Sequence, residues 1–454
     1  MTFARHLVTS SLLLLVAACE STGSNPTTPD GGSTGPNVPS TCAPVTGPGT
    51  KHNGALTADA TWTAAESPHV LTANLTIDAG RTLTLEPCAV VQVAAKIGIL
   101  VEGKLLAVGA ADKPIRIERA DAATAWKNIE TRAGAELRLA YVTVEGGGNA
   151  NGGRPTQFGA IDVRGDQDRA PQPILFADHL TVKGSESLGI WAREGGAFAP
   201  GSQDVTITGG ATFPILVWAS ASGTLPSGVY SGNAVDEIFL PAMGTRDAIA
   251  QDTTLADHGV PYRVGGETGG TALVVGASAG QAPLLTLEPG VTMRFAKGTQ
   301  LFLKHDRDEA IGALSAEGTA EKPIVFTSAE ETPAAGDWAG ILIGGTPDPR
   351  DKIAHARIAY AGGTSGISSY DCPSPLDKTF ADEAAIVIFG GQPATGFVTD
   401  STIESSAGDG IVRGWTGTPV DFLATNTFTN IARCNQTFPK PEGAVCPNPT
   451  ECPK

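Results

Sequence analysis

Five charged residues fall within eight positions: Asp162, Arg164, Asp166, Asp168 and Arg169. Carboxylates grouped in this way can hold a hard cation such as calcium, which needs several oxygen ligands converging on one point. A basic side chain beside them can accept a proton. On a strand, Asp162 and Arg164 share one face, and Asp166 and Asp168 fall in the turn that follows. The plainer reading is a solvated turn. A second candidate is His305-Asp306-Arg307-Asp308-Glu309, a charged segment in otherwise regular surroundings; inserted loops often carry function.

Other short motifs point to less. Gly276-Ala277-Ser278-Ala279-Gly280 has the spacing of a nucleophile elbow. That motif activates serine only on a strand-to-helix turn, and no helix is predicted after it. Gly98 to Lys104 has the spacing of a phosphate loop, but Leu105 stands where a magnesium-binding Ser or Thr is required. Arg164-Gly165-Asp166 is an adhesion-type tripeptide that also arises by chance.

The elements that must position these residues are short strands. Apolar pairs recur every eight residues: Leu75/Ile77, Leu83/Leu85, Val91/Val93 and Ile99/Val101, then Leu285/Leu287, Met293/Phe295 and Leu301/Leu303. Two apolar residues spaced by two leave the same face of a strand. Between the pairs lie turn residues, such as Asp78-Ala79-Gly80-Arg81 and Glu288-Pro289-Gly290. Such strands bury their apolar faces by stacking coil on coil. Three eights make a coil of about 24 residues, within the range of solenoid repeats. The expected fold is all-β, a parallel β-helix with three strands per coil.

The chain is also duplicated. Leu83-Thr84-Leu85-Glu86-Pro87 returns as Leu285-Thr286-Leu287-Glu288-Pro289. Asp112-Lys113-Pro114-Ile115 is answered by Glu321-Lys322-Pro323-Ile324, and Trp126 by Trp338. His179-Leu180-Thr181-Val182 is set against Ser401-Thr402-Ile403-Glu404. Equivalent placement gives Trp126 and Trp338 a structural task. Trp191, Trp218 and Trp415 have no matched partner; packing is expected of them, with sugar stacking as the alternative for any that are exposed.

Gly318-Thr319-Ala320-Glu321-Lys322-Pro323-Ile324-Val325-Phe326-Thr327-Ser328, followed by Gly336-Asp337-Trp338-Ala339-Gly340-Ile341, resembles the bacterial right-handed parallel β-helix repeat lipoproteins. Asn426-Thr427-Phe428-Thr429-Asn430 is similar to their terminal coils. The resemblance implies a right-handed helix. It implies little about activity, because that architecture hosts lyases, hydrolases, adhesins and scaffolds. β-Helix lyases bind acidic sugars through calcium-holding carboxylates, which is what would make the Asp162 cluster catalytic. The paired aspartates and Gly-His-Gly segment of β-helix polygalacturonases are absent; Asp257-His258-Gly259 lacks the leading glycine.

The chain starts with an address. Residues 1–18 read as a secretory signal whose apolar run is too short to cross a membrane. Its end, Val16-Ala17-Ala18-Cys19, resembles the lipobox of bacterial lipoproteins. By that resemblance Cys19 becomes the acylated first mature residue, and several acyl chains give stable anchoring. Residues 20–41 are nearly all Ser, Thr, Gly, Pro, Asn and Asp, a tether too polar to fold. Glu20 follows Cys19; the absence of aspartate there favours the outer membrane.

Six cysteines remain: Cys42, Cys88, Cys372, Cys434, Cys446 and Cys452. An exported chain with an even number points to disulfides, with fifteen conceivable pairings. Local grouping favours Cys42–Cys88, Cys372–Cys434 and Cys446–Cys452. A metal site in the last three is disfavoured, since no histidine follows His355 and no CxxC spacing occurs. Pro447, Pro449 and Pro453 make the tail an expected flap or end cap.

The expected organisation is a signal peptide at 1–18, an acylated cysteine and tether at 19–41, a capped first half at 42–246, a second half at 247–434 and a Cys/Pro-rich tail at 435–454. With 31 Lys and Arg against 47 Asp and Glu, the net charge of −16 excludes a nucleic-acid partner, because phosphate binding needs clustered cations. The sequence reads as a lipid-anchored, outer-membrane β-helix protein with a non-catalytic surface, adhesion or scaffold role. Its expected partners are the membrane and a polysaccharide or envelope protein, with no cofactor. The alternative is a polysaccharide-degrading enzyme, a calcium-dependent lyase or a hydrolase, acting through Asp162, Arg164, Asp166, Asp168 and Arg169.

Overall fold

Alternation fixes the inside of each strand. In Thr82–Leu85, Leu83 and Leu85 are buried while Thr82 and Thr84 are half-buried. One coil later Leu105 and Ala107 repeat the pattern in Lys104–Val108. The two strands run parallel with Leu83 opposite Leu105, so like side chains stack along the interior. Each such aliphatic side chain contributes about 1.5–3 kcal/mol when fully buried.

The computed structural model describes residues 39–149, 153, 158–266, 271–278, 280–303, 310–368, 371–372, 382–443, 445–446 and 451–452. The signal, Cys19, the tether to residue 38, His305–Glu309 and Pro447, Pro449 and Pro453 lie outside those residues. What is described is a right-handed parallel β-helix with three strands per coil. In one coil these are Thr82–Leu85, Val90–Val93 and Ile99–Val101. They pair with Lys104–Val108, Ile115–Arg119 and Ile129–Thr131 of the next. Three columns of parallel strands result. A single apolar core runs from Trp62 to Phe422.

The two halves are joined with a change of phase. In the first half Ile99, Ile129, Ile161, Ile190, Ile215 and Ile238 follow one another in the third column. Ile238 then pairs with Tyr262, and Tyr262 with Met293. Met293 is the duplicate of Val91, a second-column residue. The third column of the first half therefore continues as the second column of the second half. An added side causes the shift. Gly244–Asp247 forms a 3-10 turn, and Met243 and Ile249 on either side of it bridge to Ala272 and Val275.

The duplication is visible in three dimensions with one correction. His179 and Asp400 both have left-handed backbones, with φ of 51° and 50°. Leu180 and Ser401 follow them as buried residues. His179 is thus equivalent to Asp400 and not to Ser401. The sequence match was one residue out of step, because a corner residue has no apolar pattern to hold its alignment.

Two of the three disulfides also differ from local grouping. Cys42–Cys88 is present, but the others are Cys372–Cys446 and Cys434–Cys452. Phe438–Pro439 runs antiparallel to Asp371–Cys372. This brings the tail back alongside Asp371–Cys372 and delivers Cys446 to Cys372. Arg413 fastens the same region: its Nη1 donates to Val420 O at 2.8 Å and its Nε to Thr437 O. Burial pushes the Arg413 guanidinium down to about 10.

Candidate functional site

The outer row of the third column differs between the halves. In the second half it reads Phe302, Leu342, Val387 and Val412. These apolar side chains form a separate cluster with Ile367 and Phe389. In the first half the row reads Leu100, Glu130, Asp162, Trp191, Leu216 and Phe239, charged in its middle and apolar at its end. The candidate residues lie here.

Gly159–Arg164 is a strand, and Asp162 and Arg164 both sit on its outer side. Asp166 and Asp168 follow in a turn. The carboxylates do not converge on an open point. Asp162 is taken by Arg193 of the next coil, whose Nε and Nη2 each donate at 2.9 Å. Arg193 Nη1 also meets Glu194 at 2.8 Å, and Arg164 Nε donates to the other Glu194 oxygen. Asp166 Oδ2 pairs with Arg169 at 3.1 Å, and its Oδ1 accepts the Asp168 backbone N–H. In the coil before, Glu130 is bound by Lys127 at 3.6 Å and by Arg132.

This is a ladder of charges neutralised rung by rung. Burial pushes the Asp162 carboxyl above its ordinary range, against the pull of the two Arg193 bonds. Burial also raises Glu194, but Arg164 and Arg193 outweigh it and hold that carboxyl low. The Arg193 guanidinium lies 4.2 Å from the centre of the Trp191 ring and so occupies one face of it. Arg164-Gly165-Asp166 has both of its charged ends paired. The sequence reading missed Glu130, Arg193 and Glu194. Register carries the signal that finds them: Glu130, Asp162 and Trp191 occupy one position of three successive coils.

The remaining motifs take structural places. Ile99–Val101 inside the phosphate-loop spacing is a core strand. After Gly276-Ala277-Ser278, the next element is the strand Leu284–Leu287 and not a helix. His258 packs edge-on against Tyr230 at 5.1 Å. Trp218 and Trp415 are buried.

A second polar site lies in the second column of the second half. A cavity of about 590 Å³ is lined by Arg263, Lys297, Glu330, Glu331, Thr332 and Asp337, among others. Its floor is built across three coils. Glu237 is buried and pairs with Arg263 at 3.4 Å and with Arg294. Both guanidiniums also donate to the Ala329 carbonyl. Asp337 accepts from Ser328 Oγ at 2.7 Å and from the Ala334 N–H at 2.8 Å, which sets the wall. Lys297 has no ion-pair partner among the described residues and is available to an incoming group.

Residues 252–366 match the family described as a pectate-lyase like beta helix domain. The matched segment is parallel β-helix in the structure. It contains Arg263, Arg294, Lys297, Glu330, Glu331 and Asp337, and therefore most of the second site. No curated protein matches the chain.

Proposed function

We propose that this is a lipid-anchored cell-envelope protein of the outer membrane whose β-helix serves as a non-catalytic surface or scaffold. The observation that carries the reading is the pairing of the cluster: Asp162 is held by Arg193 and Asp166 by Arg169, which leaves the exposed Asp168 as its one carboxylate outside an ion pair among the described residues. A calcium-dependent lyase needs the opposite, carboxylates converging on an open point. The anchor rests on Val16-Ala17-Ala18-Cys19 and the polar tether behind it. The acidic surface and the three disulfides suit an extracytoplasmic setting. The partner class is a polysaccharide or another envelope protein.

The test has two parts. The protein is incubated with neutral and acidic polysaccharides, with and without calcium, and both chain cleavage and retention on immobilised glycan are measured. Retention without cleavage is the expected result; calcium-dependent cleavage overturns the reading. Separately, Cys19→Ser should release the protein from membranes, and continued membrane association refutes acylation there.

A second reading, a polysaccharide-degrading enzyme, is favoured by one observation. The cavity holding Arg263, Lys297, Glu330 and Glu331 sets cations beside carboxylates inside the segment that matches the pectate-lyase-like family. Cleavage abolished by Lys297→Ala, with retention intact, would select it.

A further inference from the structure

Away from both sites, three corner residues stack between the first and second columns. Tyr141, His179 and Asp204 turn the chain in successive coils, each with a left-handed backbone, φ 52°, 51° and 51°. Paired strands lie about 4.8 Å apart, so these side chains project next to one another. The Tyr141 ring stacks on the His179 imidazole with centroids 4.5 Å apart and planes 15° from parallel.

The hydrogen bonds assign the imidazole. Asp178 Oδ1 lies 2.7 Å from His179 Nδ1 and also receives Gln203 Nε2 at 3.2 Å. A carboxylate only accepts, so Nδ1 carries a hydrogen. In the neutral ring Nε2 is then a lone pair, and it faces Asp204 Oδ2 at 3.5 Å. A cation placed between them can take an electron pair from each.

The gap suits that role. A charge-assisted N–H to carboxylate bond closes to about 2.7–2.9 Å, whereas the gap is 3.5 Å. Metal bonds of about 2.0–2.1 Å meeting at a tetrahedral angle hold nitrogen and oxygen about 3.3 Å apart. One ligand atom from each of Asp178, His179 and Asp204 lies within 4.8 Å of the others. The geometry points to a divalent transition-metal site, with His179 Nε2 and the Asp204 carboxylate as ligands and Asp178 orienting the imidazole from behind. Water completes the coordination. Imidazole with carboxylate favours a first-row ion such as zinc over calcium, which prefers oxygen alone. A carboxylate on the far ring nitrogen is the usual support of a ligating histidine.

The second half provides an internal control. His355 and Asp400 hold the same left-handed corner in successive coils, φ 47° and 50°. The residue before His355 is Ala354, so the orienting carboxylate is missing there.

The test is a calorimetric zinc titration of the full chain without a polyhistidine tag, at neutral pH. One saturable equivalent should bind. His179→Gln and Asp204→Asn should each abolish it, Asp178→Ala should weaken it about 10–100-fold, and His355→Gln should leave it unchanged. The zinc-free variants should melt with the parent, since His179 and Asp204 are exposed. Zinc binding that is equal in the parent and His179→Gln overturns the site, as does a parent that binds none.

Discussion

Trp126 and Trp338 make the same bond in the two halves. Each is fully buried, and each donates its indole N–H at 2.9 Å to a backbone carbonyl, of Glu145 and of Ala359 respectively. The acceptors lie 19 and 21 residues after their tryptophans, each directly after an inward residue of the second column, Val144 and Ile358. Trp338 also stacks on Phe295 with ring centres 4.2 Å apart.

Trp126→Phe and Trp338→Phe should therefore each cost about 1–3 kcal/mol, the penalty of leaving a buried carbonyl without its donor. The sites lie in different halves and share no contact, so the losses should add. Urea unfolding of the single and double variants checks both points. A strongly non-additive double variant would mean that the halves do not carry independent copies of this bond.

Asp162→Ala should destabilise the protein by about 3 kcal/mol, because the largely buried Arg193 guanidinium loses both bonds to Asp162 and keeps only Glu194. Asp166→Ala should change stability by less than about 1 kcal/mol, since its partner Arg169 is largely exposed. Neither should alter glycan retention through catalysis. Thermal or urea denaturation reads the first two effects. An activity lost in Asp166→Ala at unchanged stability would return the cluster to the enzyme reading.

The tail pairing is open to direct mapping. Non-reducing peptide analysis should link the Cys372 peptide to that of Cys446, and Cys434 to Cys452. The unfolded mature protein should show no free thiol. Removing Cys372–Cys446 should cost about 2–5 kcal/mol.

In mild acid two depressed histidines and one raised aspartate pull stability in opposite directions. Burial lowers His258, and burial with the neighbouring His69 lowers His52. A histidine depressed in the folded state protonates more readily when unfolded. Its stabilisation is full above about 6.5 and is lost as pH drops below that value. Asp351 acts in the opposite sense. Burial raises it to about 7, so its contribution is full below about 4 and declines as pH rises toward 7. Between pH 8 and pH 5 the melting temperature of His258→Phe should shift toward greater stability relative to the parent, because the variant no longer loses the histidine's contribution. An offset from the parent that stays constant with pH would exclude His258 as a source.

How much was legible follows from locality. Alternation within a strand and the eight-residue return depend only on neighbours in the chain. Leu83, Val91, Ile99 and their duplicates could therefore be read as interior, and the β-helix with them. The structural task of Trp126 and Trp338 followed from the same repeat. Corners have no such code, which is why His179 was matched to the wrong partner.

The outer face depends on stacking. Which charge meets Asp162 is set by the length of the loops between coils, and these vary from coil to coil. Arg193 reaches it because Asp162 is in register with Trp191, two residues before Arg193. The same holds for the added side at Met243–Ile249 that rotates the columns and for the fold-back that brings Cys446 to Cys372. The sequence by itself determined which side chains face inward, because that needs only the period of the strand. Tertiary structure alone decided which outward side chains meet, because that needs the number of residues spent at every corner.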